Sequence, residues 1–583
     1  MKRFAAILAA ASLALGLLSA SCTGSSSTAV SSAGLSFSAA SVSFGYQTVA
    51  TPSTAQTVTL KSTGDAALII TSVAVTGAKA SDFTVTNTCG NSLAPGAICT
   101  ASVTFTPSAP GSRTASVSVS DNAAGSPQML ILSGMGVAAG SQFMTLDPTK
   151  TFLINTITGK PVFITGEQAY NLNLELSSNS DVDLYLSTRQ AQGFNFIWVA
   201  TTDMGNYKNA PANALGQPPF GAAPFTGMNE AYFEHLDYVL HRAAAYGFEV
   251  LLMPAFAGSG PTYCSDATGW CLELQAAADS DLTKFGAYLG NRYKNYPNII
   301  WAMGGDLDLA DFPLLAAKEQ AILNGLRSAD PNHLITCENE PGTTGSNSQD
   351  SWPANTWNLD FFYHDLEGMA KDANSAWTRS DHLPTFLGED VLEGESVSPA
   401  DRGGRIEKYQ AVLGGTNLGF VFGNCVMWAF GYRSSNCTSW QSSSQWKTWF
   451  NTKGAIASMY LGRLMRSREF WKMAPDINHT VVTAGYGSGD TITVTSRSSD
   501  GQTILAYIPN GNATSISVNM NQITSASSTA NCWWFNPTDG ATTMIGSFAN
   551  SGTSIFTPPD ANDWVLVIDD AGANLAAPGT TQE

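Results

Sequence analysis

Eight short apolar runs, separated by amphipathic stretches, fill the middle of this chain, and few architectures accommodate that alternation. The runs are Pro161 to Gly166, Phe194 to Ala200, Glu249 to Pro254, Asn298 to Met303, His333 to Cys337, Leu359 to Tyr363, Pro384 to Leu387 and Gly419 to Trp428. Helical patterns lie between them, among them Asn229 to Tyr246, Asp281 to Tyr293, Asp311 to Ser328 and Ala400 to Leu413. Strands returned one after another by helices form a parallel sheet. Eight such units between residues 144 and 470 fit a (β/α)8 TIM barrel with insertions. A doubly wound sheet also alternates, but no glycine-rich phosphate loop follows the first run.

The flanks have a different period. From residue 34 to 137 apolar residues recur every second position, as in Val42/Phe44, Val58/Leu60, Val103/Phe105 and Val117/Val119. Turn clusters such as Ser62-Thr63-Gly64-Asp65 and Asp121-Asn122-Ala123 punctuate them. This is the pattern of a β-sandwich. Alternation returns over residues 475 to 571, in Thr491 to Thr495, Thr503 to Ile508, Ser515 to Val518 and Trp564 to Ile568, and predicts a second, smaller sandwich.

The N-terminus reads as an export signal over residues 1 to 21: Lys2 and Arg3, an apolar run from Phe4 to Leu18, then Ser19, Ala20 and Ser21. Cys22 follows at once, so lipid attachment there stands beside simple secretion, and residues 22 to 33 read as a flexible linker. Membrane contact is expected only through that anchor, and the expected location is secreted, periplasmic or tethered at the cell surface. The net charge of −18 repels phosphate backbones and argues against nucleic acid as a partner. Six cysteines fall in close pairs, Cys89 with Cys99, Cys264 with Cys271 and Cys425 with Cys437. In an exported chain without CxxC spacing these are expected to be small-loop disulfides rather than metal ligands.

Two predicted strand ends carry acids. Asn298-Ile299-Ile300-Trp301-Ala302-Met303-Gly304-Gly305-Asp306 closes the fourth strand, and Pro384-Thr385-Phe386-Leu387-Gly388-Glu389-Asp390 closes the seventh. Barrel sites form just past the C-terminal ends of the strands, and strands four and seven stand on opposite sides, so both carboxylates can face one pocket. A pair of carboxyl groups is what glycosidic bond cleavage needs, one to protonate the leaving oxygen and one to attack the anomeric carbon or activate water. Scattered histidines, six in all and without HxxxH or HxH spacing, speak against a metal hydrolase. Gly258-Ser259-Gly260 lacks the spacing of a serine nucleophile elbow.

Here the chain resembles the apiosidase-like glycoside hydrolases, which end one strand in Ile-Trp-x-x-Gly-Gly-Asp and a later one in Gly-Glu. The resemblance implies Asp306 as general acid/base and Glu389 as nucleophile of a retaining mechanism; no metal or cofactor is expected. Where relatives continue Gly-Glu-Pro-x-Tyr-Glu this chain reads Gly388-Glu389-Asp390-Val391-Leu392-Glu393, so specificity for apiose need not follow. Phe163 to Tyr170 is similar to the family's Leu-Gly-Asp-Thr-Ala-Trp segment, with Glu167 in place of the Asp. Asn531 to Pro537, Phe556 to Pro559 and Asp563 to Val567 resemble the C-terminal domain that follows such barrels, sometimes labelled collagen-binding. Cys89 to Pro107 resembles the immunoglobulin-like repeats of bacterial surface proteins.

Candidate substrate-binding residues are Glu167, Tyr170, Asp203, Asn339, Glu340, Tyr363, His364 and Trp428, Glu167 having a buried pairing to a barrel arginine as its alternative. Glu338 also stands past the fifth strand, and Trp198 and Trp301 are further aromatics with a core alternative. The expected partner is a plant or microbial polysaccharide or oligosaccharide. A competing reading makes the barrel a non-catalytic glycan-binding or adhesion scaffold; in the enzyme, Asp306 and Glu389 point into one open cleft.

Overall fold

The computed structural model describes residues 31–580 apart from 40, 139–141, 206–207, 259–268, 308, 310, 339–356, 364–367, 395–399, 431–436, 438–441, 443, 510–514 and 525–526. The expected export signal, Cys22, Cys264, Asn339, Glu340 and His364 lie outside the described residues.

Eight parallel strands form the central sheet: β1 (Ile164–Gln168), β2 (Phe196–Ala200), β3 (Glu249–Met253), β4 (Ile299–Gly304), β5 (Ile335–Glu338), β6 (Asp360–Tyr363), β7 (Thr385–Glu389) and β8 (Gly419–Phe422). Their order, β5-β4-β3-β2-β1-β8-β7-β6, leaves one seam. That seam is closed by Asn358 N donating to the Ile335 carbonyl at 3.0 Å and Thr336 Oγ1 donating to the Leu359 carbonyl at 2.9 Å. The result is a nearly closed TIM barrel. Helices α1 (Asn179–Ala191), α2 (Glu230–Ala245), α3 (Asp279–Tyr293), α4 (Pro313–Ala329), α5 (Met369–Trp377), α6 (Ala400–Gly414) and α7 (Lys453–Arg466) surround it.

The first and last strands differ from expectation. Pro161 and Val162 belong to a small separate sheet, and β1 runs on to Gln168. β8 stops at Phe422, because Asn424 accepts from Val426 N and Met427 N and starts a short helix, Cys425–Ala429, which carries Trp428.

Strand alternation decides which side chains fill the barrel. Phe196, Phe386 and Phe361 meet inside, with ring centroids 6.0 Å and 5.4 Å apart. Trp198 packs edge-on to Phe361 at 5.4 Å. Trp301 faces the opposite way: it is fully buried outside the strands and donates its indole N–H to Asp330 at 2.9 Å. It is core rather than a sugar platform.

The N-terminal unit packs a four-stranded sheet against a five-stranded one around a core of its own, and the Cys89–Cys99 disulfide is formed there. Its second strand, Ser41–Thr48, lies on α2. Thr48 Oγ1 donates to the Asn295 carbonyl at 2.5 Å, and Arg242 Nη1 donates to the Ser43 carbonyl at 3.1 Å. The C-terminal unit pairs a six-stranded antiparallel sheet with a three-stranded one. It docks through two buried ion pairs, Arg468 with Asp569 at 2.7 Å and Arg405 with Asp563, and through Tyr409 stacked on Tyr507 at 4.5 Å. Cys425–Cys437 is disulfide-bonded, and so is Cys271. Cys337 and Cys532 are buried free thiols. Among the described residues no helix is long and apolar enough to cross a membrane.

Candidate active site

Three acids meet at the C-terminal mouth of the barrel. Asp306 follows β4, Glu338 ends β5 and Glu389 ends β7. One carboxylate oxygen from each lies within 4.8 Å of the others. Asp306 and Glu389 are partly exposed, whereas Glu338 is completely buried beside them.

The backbone makes this approach possible. Gly304 has φ of 90°, a left-handed conformation in which a side chain is strained, and a Cβ there would run into the Glu338 carbonyl oxygen. A Cβ on Gly305 would collide with the Gly258 backbone 2.5 Å away. On the other side a Cβ on Gly388 would enter the Phe361 ring, so this glycine admits the ring just beneath Glu389. Both glycine-then-acid strand ends are thus demanded by packing.

Like charges about 4 Å apart repel by roughly 4 kcal/mol at an effective dielectric of about 20, so three adjacent carboxyl groups resist full ionisation. Glu338 bears most of this. Burial first, then the charges of Asp306 and Glu389 and hydrogen bonds to both, hold its carboxyl well above the usual carboxylate range. Behind the turn, Glu319 of α4 accepts from Gly304 N at 3.4 Å, and burial pushes its carboxyl up to about 8. Three convergent oxygens also match what a hard divalent cation would take.

The other candidates separate clearly. Glu167 is not in the pocket: it points outward from β1 into a fully buried ion pair with Arg189, whose Nε donates to it at 2.7 Å, and Tyr185 donates to it at 2.7 Å. Period-two alternation that puts Glu167 outside puts Gln168 inside. Tyr170 is buried in an aromatic wall, stacked on Trp428 at 5.7 Å and 18°, with Trp198 and Phe256 edge-on at 5.7 Å and 5.6 Å. Trp428 is the partly exposed member of that wall. Asp203 follows β2, is buried, and accepts from Met204 N at 2.6 Å. The backbone of Tyr363 ends β6 opposite Glu389, while its side chain falls outside the described residues.

The acids following Glu389 face away from the site. Asp390 is paired with buried Lys408 at 2.5 Å. Glu393 accepts from Gly454 N at 2.8 Å and Asn424 Nδ2 at 2.9 Å, tying the β7 loop to α7 and to the turn after β8.

Residue-level reasoning missed Gln168. It is buried at the inner end of β1, in register with Trp198, and neither end of its amide has a hydrogen-bond partner among the described residues; the same holds for the Trp198 indole N–H. The signal in the sequence was only conditional: a β1 that sends Glu167 outward to an arginine sends Gln168 inward. Glu338 was visible as a residue past strand five, but its contact with both other acids depends on the seam.

A parallel barrel with carboxyl groups converging from several strand ends is an architecture that suits glycoside hydrolysis. Residues 148–472 match the model described as "Apiosidase-like, catalytic domain", more than half of the chain, and the protein belongs to this family of glycoside hydrolases. Residues 475–569 match a model named for a collagen-binding domain of a collagenase, and residues 32–129 match the ASPM-SPD-2-Hydin model. A solved glycoside hydrolase superposes with a TM-score of 0.62 at 20% identity, covering 75% of this chain and 98% of its own. A glycoside hydrolase family 5 protein from Bacteroides vulgatus gives a TM-score of 0.63 at 20% identity over 74% of this chain and 94% of its own. No curated protein matches the chain significantly by sequence.

Proposed function

We propose that the protein is an exported hydrolase of a plant or microbial polysaccharide, working by a retaining two-carboxylate mechanism with Asp306 as acid/base and Glu389 as nucleophile. The observation that carries this reading is that one carboxylate oxygen of Asp306 and one of Glu389 lie within 4.8 Å of each other at the barrel mouth, a closest approach that suits a closely spaced pair. Retaining enzymes hold the pair about 5 to 5.5 Å apart, whereas inverting ones leave about 6.5 to 9.5 Å for a water. In the first step Glu389 attacks the anomeric carbon as the glycosidic bond breaks, and Asp306 gives its proton to the departing oxygen. In the second, Asp306 takes a proton from water, and the water oxygen displaces Glu389.

Trp428, on its support of Tyr170, offers an aromatic face to a sugar ring, and the Gln168 amide and Trp198 N–H offer hydrogen bonds to its hydroxyls. The loss of the family's Pro and Tyr after Glu389 argues against carrying over apiose as the sugar. Export rests on Lys2, Arg3 and the apolar run to Leu18, with lipid attachment at Cys22 standing beside simple secretion. The C-terminal sandwich is read as structural, since buried ion pairs and stacked tyrosines weld it to the barrel.

The test is release of reducing sugar from a panel of polysaccharides, apiose-bearing pectin included, by the protein from Gly34 onward and by Glu389→Gln. Activity on one glycan, lost in the variant, with the product's anomeric configuration retained by NMR, supports the reading. Inverted product would exclude the nucleophile role. No hydrolysis by folded protein, with glycan binding intact, would favour the scaffold reading.

A further inference from the structure

A wholly buried third carboxyl is not required by a two-carboxylate mechanism, yet Glu338 lies within 4.8 Å of both acids that are. Neither of its oxygens receives a hydrogen bond from a backbone or side-chain N–H or hydroxyl among the described residues. Among the described residues, the charged groups it faces are Asp306 from the β4 end and Glu389 from the β7 end. Its backbone is held by the β4 register, where Gly304 pairs with Glu338 and packs close against its carbonyl oxygen. A buried ion here would have no counter-charge among the described residues, and burial without compensation is costly. A neutral carboxyl, in contrast, has one donor and one acceptor, and there is one neighbour for each.

We infer that Glu338 is a positioning residue that stays un-ionised and bridges the pair, accepting a hydrogen bond from the Asp306 O–H and donating its own to the Glu389 carboxylate. The site then holds two protons and one negative charge. Asp306 is loaded as the acid, Glu389 is ionised and oriented as the nucleophile, and the charge is spread over a short hydrogen-bonded chain. Glu338 never needs to touch the sugar. The upward displacement of its ionisation by burial and by both neighbours agrees with this arrangement. A fully buried acid kept neutral so that it can donate is a known device of active sites.

The kinetic consequence rests on the roles proposed for Asp306 and Glu389, but the protonation state does not. Two variants separate the possibilities. Glu338→Gln keeps a donor and an acceptor in the same shape, while Glu338→Leu removes both. The expected result is that Gln retains kcat/KM to within about tenfold and Leu loses a further 10- to 100-fold, the range for hydrogen bonds that orient a reacting group. Infrared difference spectra of the substrate-free full chain at neutral pH should show a protonated carboxyl C=O band that is absent from Glu338→Gln.

If wild type and Glu338→Gln have the same carboxyl bands, Glu338 is ionised and the inference fails, whatever the enzyme cleaves. A Gln variant as inactive as Glu389→Gln would make Glu338 a reacting group and overturn the positioning role. Stabilisation of the wild type by calcium, magnesium or manganese, reversed by EDTA and lost in Glu338→Gln, would replace the proton with a cation and also overturn it. Should Leu fail to fold, the infrared comparison still decides. Full activity of Glu389→Gln would instead defeat the functional reading and leave the infrared result standing.

Discussion

Gly304 and Glu338 are register partners across β4 and β5, and the left-handed backbone of Gly304 leaves no room for a side chain beside the Glu338 carbonyl oxygen. The placement of Asp306, two residues past β4, and of Glu338 therefore depends on a glycine that performs no chemistry.

Gly304→Ala tests that dependence. A residue held at positive φ costs about 1–3 kcal/mol, and here the methyl also strikes the β5 backbone and lies 3.0 Å from Cys337 Sγ. Turning the strand end displaces Asp306, so kcat should fall at least tenfold in protein that still folds, with the midpoint of denaturant unfolding lowered. An unchanged kcat would mean that Asp306 is not placed by this turn.

The buried pair Glu167–Arg189 gives a purely structural prediction. Glu167→Leu alone leaves the guanidinium buried without its carboxylate and should cost about 3–5 kcal/mol. Combining it with Arg189→Met should recover most of that loss, because two apolar residues leave no unpaired charge. Chemical denaturation of both variants checks this, and kcat/KM of the folded double variant should stay near wild type. A selective rise in KM would return Glu167 to the pocket.

Gln168 should trade stability against activity. Its buried amide lacks a hydrogen-bond partner among the described residues, so Gln168→Leu should leave the melting temperature unchanged or raised. The same change should raise KM about tenfold if the amide binds a sugar hydroxyl, a loss of roughly 1.4 kcal/mol. A lower melting temperature with unchanged KM would make Gln168 a core residue.

Glu319 carries a pH dependence whose sign is set by its environment. Its folded value of about 8 exceeds the ordinary 4.5, so between these limits the folded protein binds more protons than the unfolded chain. The stabilisation it gives when neutral is complete below 4.5 and is lost as pH rises through about 8. Denaturation curves across this window should show wild-type stability falling relative to Glu319→Gln. Parallel curves for the two proteins would show that Glu319 does not hold its proton in the fold.

Much of the architecture was legible because it is written in local periods. The change from alternation of two to apolar runs with helical returns, and back again, marks where sandwiches give way to the barrel. Gly304-Gly305-Asp306 and Gly388-Glu389 stood out because each couples a backbone allowance to a carboxyl at a strand end. Local rules fell short where they met a neighbour distant in sequence. Glu167 stands open in the sequence between a sugar hydroxyl and a barrel arginine, and Arg189 from α1, facing it on the outside of β1, settles it as the buried pair. The last apolar run looked like one long strand, but the Asn424 side chain caps the backbone and turns Trp428 onto a helix.

The sequence by itself determined the strand order of chemistry: which residues end strands four and seven, and that both are acids preceded by glycine. Only the tertiary structure decided which acids act together. Glu338 joins Asp306 and Glu389, whereas Asp390 and Glu393, nearer in sequence to Glu389, are taken up by Lys408 and by Asn424 with the Gly454 amide. The reason is physical: a carboxyl's state depends on the charges and donors within a few ångströms of it, and barrel closure brings those from strands dozens of residues apart.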